Sequence, residues 1–179
     1  MVICFYKKTG AYWEFSNFAK YGFQLDDKFY FCVESYYQSQ KFIHFSEYMH
    51  LIQQADSPMK CKLLGTQSKN YRFAHSWVIN KSTNKQSVFD AIDQSIQQNV
   101  YVRPDWDNVK INIMLNALRA KFSQNITLKT LLLETGNCII IENSPKDYFW
   151  GIGKNKTGHN ILGKLLMQVR EELRSTSCH

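Results

Sequence analysis

The run "WDNVKINIMLNALRAKF", residues 106–122, sets the first constraint on the fold. Ile111, Met114, Leu115, Leu118 and Phe122 recur at helical spacing, so five apolar side chains wind onto one face of an α-helix. Such a face must be covered by other elements. Leu162, Leu165, Leu166, Val169 and Leu173 make a second stripe, with Asn160 just before it in the N-cap position. Two such helices commit the chain to a layered, largely helical core.

Shorter signals fill in the rest. "VICFY" at 2–6 reads as a strand before a Lys-Lys-Thr-Gly turn. "YGFQLDDKFYF" alternates around Asp26 and Asp27 and suits a hairpin. Helices are expected from Val33, over 46–55, and from Pro58, the last with Ser57 as cap and Gly65 as stop. "TLKTLLLETG" predicts another, stopped by Gly136, and "NCIIIE" a short buried strand. Residues 70–104 are polar and lack a sustained period, although "SVFDAIDQSI" suits a helix. This segment reads as a long surface excursion of the lid or binding-loop kind. The expected fold is a single compact α+β domain over 1–179, mostly α-helical with a small β-sheet.

A length of 179 residues suits one core, and a net charge of +7 favours phosphate-bearing partners or nucleic acid. Cys4, Cys32, Cys61, Cys138 and Cys178 are far apart and form no CxxC, which points to free thiols in a reducing compartment. There is no HExxH and no Cys/His cluster, so no metal is expected. The N-terminal apolar stretch is too short for a signal-peptide core, and no apolar run approaches a membrane span. The expectation is a cytoplasmic or nuclear protein, not secreted and without a membrane partner.

Two constellations could carry chemistry. In "VESYYQSQKF", residues 33–42, Glu34 and Lys41 are seven residues apart with Tyr37 and Gln38 between. On one helix that is about 10 Å, too long for an ion pair but suited to flanking a ligand. The ordinary reading of such charges is a solvated face. The second constellation is "DYFWGIGKNKTGHNILG", residues 147–163, with Asp147, Trp150, four glycines, two lysines and Asn160. Its glycines permit close backbone approach, its lysines can neutralise phosphate, and the helix that follows offers N–H groups to an anion. It is neither a Walker nor a Rossmann fingerprint. The plainer alternative is a turn before a helix, with Asp147 as a turn cap, Trp106 and Trp150 in the core, and "FSNF" at 15–18 an Asx-type turn.

Taken in order, these segments resemble the NADAR family, the YbiA-like N-glycosidases. "FSNF" resembles the family's N-terminal motif and "VESYYQSQKF" its Glu-bearing helix. "SPMKCKLLG", then Trp106, Lys110, Met114 and "ALRAKF", then "LLLETG", "DYFWGIG" and "GHNILGKLLMQVREEL" continue the match. Ser35 departs from the histidine common after the family's Glu, and the segment before Trp106 is longer than in compact bacterial members. The resemblance implies hydrolysis of a bond between ribose and a nitrogen base, without metal or organic cofactor. It implies as substrate either ADP-ribosylated guanine in nucleic acid or a ribosylamino-pyrimidine phosphate of riboflavin synthesis. The basic charge leans toward the first.

Under that resemblance Glu34 stabilises positive charge on the ribose, and Lys41 either attacks the anomeric carbon or contacts phosphate. Asp147 and Asn160 hold ribose hydroxyls or help the leaving base. Trp106 and Trp150 offer flat surfaces. Ser16, Asn17, Phe18, Tyr37, Gly151, Gly153, Lys154 and Gly158 complete the expected substrate contacts. The two constellations are expected to line one pocket. A non-catalytic module binding ADP-ribose or nucleic acid is the alternative, and it would not need Glu34.

Overall fold

The computed structural model describes residues 1–66 and 86–176. Its elements are β1 (Val2–Phe5), β2 (Phe23–Leu25), β3 (Lys28–Tyr30), α1 (Val33–Ser39), α2 (Ser46–Gln53), α3 (Pro58–Thr66), α4 (Gln86–Gln97), α5 (Trp106–Gln124), α6 (Ile126–Glu134), β4 (Ile139–Glu142) and α7 (Ile161–Thr176). The class is α+β, mostly helical with two small sheets, as the sequence leads one to expect. Two compact units divide the chain: Met1–Val33 with Met114–His179, and Glu34–Ile113. Each is described by itself.

In the first unit β1 and β4 pair in parallel, with Ile3 opposite Ile140. Helix α7 lies against β4, and every member of its apolar stripe is buried. The closest approach is at Gly163, where a Cβ would collide with the Ile140 carbonyl oxygen. The hairpin β2–β3 turns through Asp26 and Asp27, both left-handed at φ 52° and 59°, the backbone of a two-residue type I′ turn. Gly136, at φ 56°, follows α6 and ends it. Met114, Leu115, Leu118 and Phe122 of α5 are buried, whereas Ile111 is exposed and falls outside the stripe.

In the second unit α3 packs against α2 and α4. The Tyr48 hydroxyl donates to the Leu64 carbonyl at 2.8 Å. Ser57 caps α3, its Oγ accepting from the Lys60 N–H at 3.4 Å. Two expectations are corrected here. Gly65 does not stop α3. It lies inside the helix, buried, because a neighbouring side chain needs the space a Cβ would fill. Helix α1 ends at Ser39, whose Oγ donates to the Tyr36 carbonyl at 2.8 Å, and Gln40–Phe42 continue as a 3₁₀ turn. Lys41 therefore does not share one unbroken α-helix with Glu34. Within the expected excursion, residues 86–97 form α4, and the Arg103 N–H ties the following loop to the Lys41 carbonyl at 2.8 Å. Residues 70–85 of that excursion lie outside the described residues.

The tight seat of α7 gives a stability prediction. Gly163→Ala is expected to destabilise the protein by about 2 kcal/mol, as forced overpacking does. Thermal unfolding should show a fall of roughly 4–8 °C for a chain of this size. An unchanged transition would mean that the contact with β4 does not constrain the helix.

Candidate active site

Glu34 opens α1 from inside the protein. It is 5 % exposed, and Ser35, Tyr36, Tyr37 and Gln38 beside it are also buried. The solvated-face reading of this segment is thereby excluded. Gln38, one turn on, donates from Nε2 to Glu34 Oε1 at 2.8 Å. Ser35, where the resembling family commonly has histidine, is fully buried with no partner for its hydroxyl among the described residues.

Lys41 is half-buried on the 3₁₀ turn. Its Nζ donates to the Gly65 carbonyl at 3.0 Å. The same nitrogen lies 5.7 Å from the centre of the Tyr37 ring and 5.5 Å from that of Trp106, within cation–π range of both. Those two rings meet at 4.9 Å, tilted by 60°. Burial lowers the Lys41 pKa to about 8; the Glu34 carboxylate opposes the shift, while Lys62 and Lys110 add to it. Glu34, Tyr37 and Lys41 of the first constellation therefore come together, and Trp106 joins them. The groove between α2 and α4, lined by Phe45, Tyr48, Leu51, Ala91 and Gln94 among others, carries none of the predicted site residues.

The loop between β4 and α7 folds largely on itself. Asp147 Oδ1 accepts from the N–H groups of Phe149 and Trp150 at 2.9 and 2.7 Å, so it caps a turn. Asn160, at φ 52°, sends its side chain to β4, where Oδ1 accepts from the Glu142 N–H at 3.0 Å and Nδ2 donates to the Ile140 carbonyl at 2.9 Å. It pairs with the strand instead of capping α7 by its side chain. The glycines are packed by protein. A Cβ at Gly151 would lie 2.8 Å from the Glu142 carbonyl oxygen, one at Gly158 would strike the Gly151 carbonyl, and one at Gly153 would strike the Tyr148 ring. The expectation that α7 offers its first N–H groups to an anion is corrected for the same reason. Those of Ile161 and Leu162 are held by the carbonyls of Phe149 and Trp150, both at 3.1 Å. Lys154 is exposed, and the Trp150 ring stands at 89° to that of Phe149.

"FSNF" is a turn closed by Ser16, whose Oγ accepts from the Phe18 N–H at 3.2 Å. The Asn17 Oδ1 is buried without a partner among the described residues. Lys121, a residue given no role of its own from sequence, anchors this segment. Its fully buried Nζ donates to the Glu14 and Ser16 carbonyls at 2.5 and 2.9 Å. Burial lowers its pKa to about 7, against the opposing influence of Cys32 and Glu14. The signal was available: Lys121 stands three residues after Leu118, on the buried side of an amphipathic helix. Among the described residues no group of three or more His, Cys, Asp or Glu could hold a metal ion, and no helix is long and apolar enough to cross a membrane.

Comparison with known proteins places the whole chain in one family. The family model described as NADAR domain matches residues 4–174. A Nostoc punctiforme protein named N-glycosidase is 37% identical over 177 residues, covering 98% of this chain and 94% of its own. A maize protein named riboflavin biosynthesis protein PYRR, chloroplastic, is 33% identical over 180 residues, which cover 98% of this chain but 26% of that protein. The NMR structure of the Escherichia coli protein YbiA matches with a TM-score of 0.76 at 31% identity, covering 99% of this chain and 88% of that one.

The two buried amines give a direct test of the electrostatics. With isotope-labelled lysine, NMR should show two side chains titrating near 8 and near 7, well below ordinary lysines. Lys41→Met should remove the first and Lys121→Met the second. Ordinary midpoints for both would refute the burial argument.

Proposed function

The chain belongs to the NADAR domain family, and from that premise we propose that it is an N-glycosidase, hydrolysing the bond between ribose and a nitrogen of a base. The observation that carries this reading is a buried carboxylate, Glu34, beside a lysine whose pKa is lowered to about 8. Cleaving an N-glycoside builds positive charge on the ribose ring. A carboxylate in a low-dielectric site stabilises that charge without reorganising as it develops. A binding module would not need Glu34.

Lys41 is the nucleophile in this reading, because a desolvated amine keeps its lone pair available. Its neutral nitrogen attacks the anomeric carbon, the carbon–nitrogen bond to the base breaks with its electron pair going to the base, and the base takes up, through water, the proton that the lysine nitrogen sheds. Opening of the ribose ring then leaves an iminium on Lys41. Water adds to that carbon and releases the sugar and the free amine. Tyr37 and Trp106 flank Lys41 and exclude water from it. Asp147 and Asn160 shape the loop between β4 and α7.

The proposed substrate is ADP-ribosylated guanine in nucleic acid. A net charge of +7 favours a polyanion. A second reading is favoured by the name of the maize relative: a ribosylamino-pyrimidine phosphate of riboflavin synthesis. Incubation with each compound, followed by mass spectrometry of the released base, separates the two. Release from neither, with tight binding of ADP-ribose, would leave only the binding module.

Two outcomes are expected with whichever substrate turns over. Glu34→Gln should lower kcat by about 10²-fold or more while substrate still binds. Retention of a tenth of the wild-type rate would remove Glu34 from the chemistry. The wild-type rate should rise with pH and level off above about 8, because the attacking amine is neutral only above its pKa. A rate that falls through the same range would instead assign the Lys41 ammonium to phosphate binding.

A further inference from the structure

We propose that Gln38 is the positioning residue of this site, fixing the Glu34 carboxylate, and that Gly65 is the backbone position that seats it; the proposal rests on the glycosidase reading above. Gln38 is 4 % exposed. Its Nε2 is committed to Glu34 Oε1, while its Oε1 is buried with no hydrogen-bond partner among the described residues. A buried amide oxygen without a partner costs about 1–3 kcal/mol. Methionine, of similar length, would fill the same space without that cost. Packing therefore does not explain an amide here, whereas a need for its N–H does.

The need is at Glu34. The terminal torsion of a glutamate is broad, so an unrestrained carboxylate samples many orientations. A bond from a rigidly seated amide removes that freedom before substrate arrives, which is how preorganised electrostatic groups act. Gly65 supplies the seat. A Cβ there would collide with Gln38 Oε1 and lie 2.6 Å from its Cδ. The carbonyl of the same residue accepts from Lys41 Nζ at 3.0 Å. One position in α3 thus stands behind both reacting groups, behind Lys41 directly and behind Glu34 through Gln38.

The test uses the full chain and the substrate identified by base release. Gln38→Met and Gln38→Leu should each lower kcat about tenfold or more with KM nearly unchanged, as expected when only transition-state stabilisation is lost. Both should remain folded at the assay temperature, as thermal unfolding checks, since removing the unpartnered Gln38 oxygen offsets part of the cost of losing its bond to Glu34. In a Glu34→Asp background, whose shorter side chain cannot meet the amide, Gln38→Met should cost little more. A kcat within twofold of wild type in either Gln38 variant overturns the proposal. So does an equal loss in the Glu34→Asp background, or a loss confined to KM, because either would mark Gln38 as structural. Should Glu34→Gln itself turn over normally, the role of Glu34 fails first, and that result is distinguishable from failure of the Gln38 variants alone.

Discussion

A charged group taken out of water must be given partners, and here Glu34 and Lys41, the groups proposed to react, receive theirs at a helix position that has no side chain. Gly65 lets the Gln38 amide lie against α3, and that amide bonds Glu34. The Gly65 carbonyl takes the Lys41 ammonium. Without that close approach a buried carboxylate and a half-buried amine would each lose a hydrogen-bonded neighbour, directly or through Gln38. The cost of such losses is several times the worth of a surface ion pair. The lowered pKa of Lys41 follows from the same burial, so one packing constraint sets both geometry and protonation.

Lys121 applies the same physics to a different end in the other unit. It too is buried and has a lowered pKa, yet its donors go to the Glu14 and Ser16 carbonyls and so hold the "FSNF" turn. A perturbed pKa alone would rank Lys121 above Lys41 as a reacting group. The partners decide otherwise. Both amines lie near two aromatic rings and a glutamate, but Lys121 is fully buried and donates to two main-chain carbonyls, whereas Lys41 is only half-buried and donates to one. Perturbed groups mark both structural and functional positions, and geometry separates them.

The elements were legible in the sequence wherever periodicity is strong. Helices α5 and α7, the hairpin at Asp26 and Asp27, and the stop at Gly136 follow from residue spacing and turn chemistry. The grouping of Glu34, Tyr37 and Lys41 was also legible, although Lys41 leaves the α-helix at Ser39 before reaching its place, and the approach of Trp106 is seen only in the fold. What sequence hides is which of several chemically possible partners a group takes. Glycines 151, 153 and 158 suit a ligand's approach as well as they suit a carbonyl or a tyrosine ring, and only the folded loop shows the latter. Asn160 has the position of a cap and the contacts of a strand neighbour. Gly65 has the position of a stop and the function of a gap.

The proposed reaction builds positive charge at the ribose carbon and uses a carboxylate and an amine to manage it. The measurement that bears most directly on this is borohydride reduction during turnover, followed by peptide mapping of the trapped adduct. The account predicts a ribose-derived adduct on the peptide carrying Lys41, lost in Lys41→Arg together with turnover. An adduct on another lysine, or full turnover in Lys41→Arg, would contradict it.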